Sequence, residues 1–172
     1  AILDAAETLF YDRGFHAVGV DEIRAAAGVT LKRIYAHFPT KQALAVAMLD
    51  RRDERWRDSV ESHVSRSHTR TQRLAALFEW LGEWFAQPEF RGCAWINAHG
   101  EMAAASPAIL AAVRTHKRRF REQIIRWCDG DESLADSVYL LAEGAMVTAG
   151  IHADPDVARS ARAAAVAVAG TG

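Results

Sequence analysis

Residues 25–44 read AAAGVTLKRIYAHFPTKQAL, and this stretch decides the fold of the first part of the chain. The Ala-rich segment that ends at Gly28 predicts a helix closed by a glycine in the left-handed conformation. Thr30 can cap a second short helix over residues 31–37, and Pro39 ends that helix. Two short helices joined by such a turn indicate a helix-turn-helix, whose second helix lies in the major groove of DNA.

The second helix of this motif carries side chains that suit a nucleic acid. Lys32 and Arg33 stand near its start, where they are candidates for contacts with base edges. Four further side chains suit phosphate oxygens, and they are Thr30, Tyr35, His37 and Lys41. The alternative is that Tyr35 and His37 pack inside the small domain and that Lys32 is merely solvated.

The charge of the chain is distributed in favour of this interpretation. The formal net charge is −1, so no global basic excess indicates a nucleic-acid partner. Residues 23–49, however, contain Arg24, Lys32, Arg33 and Lys41 and no acidic residue. The motif therefore lies in a locally basic segment of a slightly acidic chain.

The motif resembles the DNA-binding signature of the TetR family of bacterial regulators. The resemblance rests on Gly28-Val29-Thr30, on Ile34-Tyr35-Ala36-His37-Phe38, and on Lys41 and Leu44. It is close over the first quarter of the chain, and the remainder matches only in helix layout. The chain departs from the family pattern at Lys32, where a small residue is usual, and at Gly19, where Ser or Thr often caps the helix.

The resemblance implies an all-α fold of about nine helices in two domains. Residues 1–45 would form the helix-turn-helix DNA-binding domain, and residues 46–172 a larger helical domain for effector binding and dimerisation. The implied function is a ligand-responsive transcription regulator, most often a repressor, that binds a near-palindromic double-stranded DNA operator as a homodimer. A small-molecule effector would release it, and no cofactor is implied.

Apolar spacing along the chain predicts helices and no convincing strand. The expected helices are residues 1–13, 20–27, 31–37, 41–61, 74–85, 90–105, 107–129, 132–152 and 155–169. The last two long helices are the expected dimer interface, because small residues permit close helix approach. Those residues are Ser137, Ala142, Gly144, Ala145, Ala149, Gly150, Ala163, Ala164 and Ala167.

The larger domain contains all five tryptophans, which favour an apolar cavity for an effector. The candidate effector-binding residues are Trp80, Trp84, Trp95, Asn97, His99, Met102, Phe120, Trp127 and Tyr139. His116 and Glu143 are further polar candidates. The alternative for each aromatic residue is an ordinary place in the core, and for His99 a structural role.

Composition excludes several other classes of protein. The 172 residues, 50% hydrophobic and 25% charged, are typical of one or two globular domains. Cys93 and Cys128 are far apart, and the spacing of His63 and His68 is poor for one helix face, so no disulfide framework and no metal site are expected. No apolar run approaches the roughly 20 residues that span a bilayer, so we expect a cytoplasmic protein without a membrane partner. The chain begins within a helical pattern, and we expect a short N-terminal arm before it.

An enzyme is the first competing class. The sequence contains no GxSxG elbow, Gly-rich phosphate loop, HExxH pair or paired Cys ligands. His99 and Glu101 form an HxE pair, but the Pro-Cys-x-x-Cys of zinc deaminases does not follow. We therefore expect no enzymatic activity. A helical adaptor that binds only protein stays open as the alternative, although it leaves the cluster from Lys32 to Lys41 without a role.

Overall fold

The computed structural model describes residues 1–170, which form nine α-helices and contain no strand. The helices are α1 (Ile2–Arg13), α2 (Val20–Ala27), α3 (Leu31–His37), α4 (Lys41–Val64), α5 (Arg70–Phe85), α6 (Ala94–Met102), α7 (Pro107–Trp127), α8 (Glu132–His152) and α9 (Val157–Ala169). The all-α prediction is confirmed. The three helices of the predicted DNA-binding motif begin and end within one residue of their expected bounds.

Local capping explains why the motif helices are so short. Gly28 has φ 64° and ψ 33°, the left-handed conformation that ends α2. The Thr30 hydroxyl oxygen then accepts a hydrogen bond from the Arg33 N–H at 3.2 Å, which begins α3. At the start of α4, the Thr40 hydroxyl oxygen accepts from the Ala43 N–H at 3.0 Å. Each turn is therefore specified by residues within the turn itself.

Three helices differ from their expected bounds by three residues or more. Helix α4 continues to Val64, three residues beyond the predicted end. Helix α5 begins at Arg70, because Thr69 and Gln72 form a capping box before the apolar pattern starts. The helix expected over residues 90–105 is shorter at both ends, and it begins only at Ala94 because Gly92, with φ 86°, interrupts the chain.

The contacts divide the chain into two compact units. The first unit contains Ala1–Glu54 and Ala94–His116, and the second contains Arg55–Cys93 and the chain from Lys117 onward. The first unit thus joins the predicted DNA-binding helices to α6 and to the first half of α7. This division follows contacts and not functions, so the predicted functional boundary between residues 45 and 46 stays a prediction.

Each of α1, α2 and α3 contributes one or two buried apolar residues to the core of the first unit. The Phe10 and Phe15 rings stack with their centroids 4.9 Å apart. Ile23 of α2 and Ile34 of α3 are buried, with 0% and 1% of their surface exposed. Burying a side chain of this size stabilises the fold by about 1.5–3 kcal/mol. These contacts hold three short helices that could not persist alone.

The second unit is built around aromatic rings. Trp56 meets Trp80, Trp84 and Phe120 edge to face, with centroids 5.1, 5.7 and 4.9 Å apart. Helix α5 packs against α8 and α9 within this unit. A Cβ at Gly150 of α8 would lie 3.1 Å from the Gly92 Cα, so these two backbones approach more closely than side chains permit.

Helix α8 corrects the expectation about membrane spans. Its 21 residues make it long and apolar enough to cross a bilayer by length and composition alone. A core helix of a globular protein meets the same test, and α8 buries Leu134, Val138 and Met146 in the second unit. Its acidic Asp136 and Glu143 are paired with Arg121 and Lys117.

Candidate nucleic-acid interface

Helix α3 presents almost all of its polar residues to solvent. Lys32, Arg33 and His37 are exposed, and Tyr35 is 48% exposed although it is a large aromatic residue. Ile34 is the buried residue of this helix. The alternative in which Tyr35 and His37 pack inside the small domain is therefore wrong, and each predicted contact residue of α3 is accessible to solvent.

The two residues at helix starts have distinct surroundings. Thr30 is exposed, and its capping oxygen leaves the hydroxyl proton able to donate to a phosphate. Lys41 is half-buried, and its Nζ lies 5.8 Å from the centroid of the Phe10 ring. Burial lowers the Lys41 pKa below its usual range, while the charges of Glu101 and Glu22 act in the opposite direction.

Acidic side chains near this surface are paired with arginines. Glu22 is hydrogen-bonded to Arg13, and its other oxygen accepts from the Gly19 N–H at 3.0 Å. These two hydrogen bonds, the Gly19 bond first, hold the Glu22 pKa below its usual range. Asp21 pairs with Arg24 at 3.1 Å. The acids of α2 are thus neutralised locally, which limits their repulsion of DNA phosphates.

Four of the candidate effector residues lie in the first unit, namely Trp95, Asn97, His99 and Met102. Trp95 is buried and stacks on His116, with centroids 3.4 Å apart and an interplanar angle of 4°. Asn97 lines a small cavity together with Phe10 and Met48. Met102 is buried and His99 is exposed on α6.

The other five candidates lie in the second unit: Trp80, Trp84, Phe120, Trp127 and Tyr139. Trp80 and Trp84 are stacked, with centroids 5.8 Å apart. Phe120 and Tyr139 are also neighbours, with centroids 6.0 Å apart. Trp127 is buried, and its Nε1 donates to a Glu61 carboxylate oxygen at 3.3 Å. Effector binding by either group of residues stays a prediction.

Sequence reasoning missed one buried and one partly buried polar pair. Asp53 and His116 are hydrogen-bonded at 2.7 Å between Oδ1 and Nδ1, and Lys117 binds Glu143 at 2.7 Å. The Lys117 ammonium also lies 3.6 Å from the Cys93 sulfur. Partners 63 and 26 residues apart leave no local spacing signal.

The two cysteines of the chain are free thiols. Both Cys93 and Cys128 are buried, and burial raises the pKa of the Cys128 thiol to about 11. Within residues 1–170, no group of three or more His, Cys, Asp or Glu residues could hold a metal ion.

An exposed apolar stripe runs along α8. Leu140 and Ile151 are 69% and 72% exposed, and Val147 between them is 41% exposed. These positions share one helix face. The predicted interface of small residues is wrong for three of its members, because Ala142, Ala145 and Ala149 are buried within the protomer.

The first part of the chain matches a known family. Residues 2–48 match the family described as "Bacterial regulatory proteins, tetR family". The chain is 38% identical over 78 residues to the HTH-type transcriptional activator FasR of Mycolicibacterium smegmatis, a match that covers 45% of this chain and 36% of FasR. It is 27% identical to the HTH-type transcriptional regulator EthR of the same organism, over 92% of this chain and 77% of EthR.

Solved structures extend the similarity over the whole length. SCO4454, a TetR-family transcriptional regulator from Streptomyces coelicolor, superposes with a TM-score of 0.87 and 30% identity, over 98% of this chain and 92% of that chain. The reduced form of NemR from E. coli has a TM-score of 0.85 at 21% identity, over 95% and 92% of the two chains, and so supports the fold. The chain therefore belongs to the TetR family of bacterial transcriptional regulators, and residues 20–37 are its DNA-binding helix-turn-helix.

Proposed function

We propose that this protein is an effector-responsive repressor that binds a near-palindromic operator as a homodimer. The observation that carries the proposal is α3, a short capped helix that presents Lys32, Arg33, Tyr35 and His37 to solvent in a locally basic segment. In this proposal Lys32 and Arg33 contact base edges. The residues that hold phosphates are Thr30, Tyr35, His37 and Lys41.

Two observations support the proposed dimerisation, namely the size of this surface and the stripe on α8. One helix of seven residues is a small footprint for specific binding, and a two-fold dimer doubles it. Leu140, Val147 and Ile151 form an apolar face of the kind that a partner subunit covers. Exposed Val168 on α9 adds to the apolar surface of this unit. The proposed partner is a second copy of this chain.

The proposed switch acts through the spacing of the two recognition helices. An effector that prefers one conformation of the protein shifts its population toward that conformation. Movement of α4, whose first residue is Lys41, would then displace α3 relative to its operator half-site. A coupling free energy of about 1–3 kcal/mol changes operator affinity by about 5- to 150-fold. The nine aromatic and polar residues named above as effector candidates are the proposed contacts.

We propose that the protein represses transcription. Activation is the alternative, and FasR is named as an activator. A reporter gene with the selected operator placed over the promoter distinguishes the two, since a repressor lowers its expression. We also propose that the protein acts in the cytoplasm, without a cofactor and without enzymatic activity. Its relatives above are named as transcriptional regulators.

Substitutions in α3 test sequence reading. Lys32→Ala and Arg33→Ala should each weaken binding to an operator obtained by in-vitro selection by about 1–3 kcal/mol per half-site, because a contact with a base edge is lost. Binding to random duplex should change much less. Fluorescence anisotropy with both duplexes measures the two affinities. The matched control is Arg118→Ala, which removes an exposed arginine of α7 outside the motif. Equal losses on both duplexes would assign the residue to phosphate contact.

Lys41 is tested by the salt dependence of binding. Lys41→Ala should weaken all sequences similarly and reduce the slope of log K against log salt by about one per protomer, since one phosphate contact and its released counterion are lost. A salt titration of operator binding measures this slope. Lys41→Arg keeps the charge and should keep the slope. An unchanged slope in Lys41→Ala removes Lys41 from the phosphate contacts.

A further inference from the structure

One residue of α6 binds the turn between α1 and α2. The Glu101 Oε2 accepts hydrogen bonds from the Phe15 N–H at 2.7 Å and from the His16 N–H at 3.3 Å. The Glu101 carbonyl oxygen in turn lies 2.6 Å from the His16 Nε2, which donates to it. Three hydrogen bonds thus join segments that are 85 and 86 residues apart within the first unit.

The contact provides hydrogen-bond partners for backbone groups of both segments that have no partner within a helix. The Phe15 and His16 N–H groups point toward a single carboxylate oxygen, which is the arrangement of a backbone anion site. The Glu101 carbonyl belongs to the last turn of α6, where carbonyls lack helical donors. Hydrogen bonds to an ionised carboxylate are stronger than hydrogen bonds between neutral groups. We therefore expect this contact to hold the turn more strongly than a neutral side chain would.

Gly14 makes the approach of the carboxylate possible. Its φ of 85° is a conformation that favours glycine, and a Cβ at this position would lie 2.9 Å from the Glu101 Oε2. A side chain at residue 14 and the carboxylate at residue 101 therefore cannot both keep their places. Glycine at position 14 thus leaves the space that the Glu101 carboxylate occupies.

The turn held by Glu101 is part of the DNA-binding helices. Phe15 stacks on Phe10 of α1, and Gly19, three residues after His16, caps α2. The charge of Glu101 also acts on Lys41 at the start of α4. The end of α6 therefore fixes the turn that leads from α1 into α2.

We propose that Glu101 is a positioning residue of the DNA-binding helices, which fixes the turn between α1 and α2 and thereby the half-site spacing that the dimer accepts. The inference rests on the proposed function, since it assigns a positioning residue to the same DNA-binding surface. A positioning role differs from a purely stabilising role, because a loss of stability alone weakens binding to every DNA sequence in the same proportion. A loss of positioning changes which half-site spacing the dimer accepts.

The test compares Glu101→Gln, Gly14→Ala and the double variant with the wild-type protein. Each is titrated with the selected operator and with the same operator lengthened by one central base pair. Each single variant should lower the ratio of the two affinities by about fivefold or more, the lower end of typical couplings. The double variant should lose no more than the larger single loss, because both changes break one contact. Gly100→Ala is the control, since a Cβ there meets no atom within 4 Å.

Hydrogen exchange provides a readout that does not depend on DNA. The Phe15 and His16 amides should exchange faster in Glu101→Gln than in the wild-type protein or in Gly100→Ala. Faster exchange with an unchanged spacing ratio would overturn the positioning role and leave a structural contact. Unchanged exchange would overturn the contact itself. A wild-type protein that binds no duplex would overturn the proposed function, whereas normal wild-type binding with unaltered variants overturns only the role of Glu101.

Discussion

Ile151→Glu should convert the proposed dimer into monomers and lower operator affinity by about a hundredfold or more. Ile151 is 72% exposed at one end of the stripe on α8. A two-fold interface would contain the substitution twice, and a buried carboxylate without a partner is strongly unfavourable. A monomer contacts only one half-site and loses the gain from binding both. Because affinity changes tenfold per 1.4 kcal/mol, a loss of about 3 kcal/mol produces this effect.

Sedimentation velocity at micromolar concentration measures the first part of this prediction, and anisotropy with the selected operator measures the second. Ala104→Glu adds the same charge at an exposed position outside α8 and should leave the dimer intact. Circular dichroism should show the same helix content in both variants. A dimeric Ile151→Glu protein would place the interface on another surface.

Asp53→Ala should lower the free energy of unfolding by about 3 kcal/mol, the low end for breaking a buried polar pair. Asp53 and His116 are 2% and 1% exposed, and their side chains are hydrogen-bonded at 2.7 Å. The substitution removes this bond and leaves a cavity beside a ring that stacks on Trp95. Little solvent reaches the pair, so water cannot replace the carboxylate at low cost.

Urea denaturation followed by tryptophan fluorescence measures this loss. Glu54→Ala, the next residue on α4, is the control, because Glu54 is exposed and its loss should change stability by no more than about 0.5 kcal/mol. Asp53→Asn keeps the side-chain shape and one acceptor oxygen. Its loss of unfolding free energy should therefore lie between the losses of Glu54→Ala and Asp53→Ala. A loss below about 1 kcal/mol for Asp53→Ala would mean that the pair contributes little beyond its packing.

The fold was predictable where short-range chemistry determines it. The left-handed Gly28 and the capping Thr30 lie within three residues of the turn that they form, so a single segment specifies the helix-turn-helix. Exposure of Tyr35 could not be predicted in the same way. A ring next to Ile34 on a seven-residue helix suits either a core or a surface, and only the position of α3 against its neighbours decides between them.

Features that depend on distant residues could not be predicted. Glu101 reaches Phe15 across 86 positions, and nothing in the spacing of the HxE pair indicates a backbone partner. Small residues of α8 were expected to face a partner subunit, whereas Ala142 is buried by the protomer and Leu140 is exposed. Both alanine and leucine can lie on the buried or the exposed face of such an apolar helix. Packing against the rest of the protomer therefore decides which face is buried.

The shortness of α3 links DNA binding to folding. Seven residues are too few for an isolated helix to persist in water, and Ile34 is the residue through which α3 is buried. The proposed DNA-contacting surface therefore exists only while the core around Phe10 and Ile23 is intact. Operator DNA that binds only the folded first unit raises its free energy of unfolding by RT ln(1 + c/Kd), where c is the concentration of free DNA, and unfolding of this unit in turn lowers the apparent affinity for DNA. Any ligand that loosens this core lowers operator affinity without contacting a single DNA-binding residue.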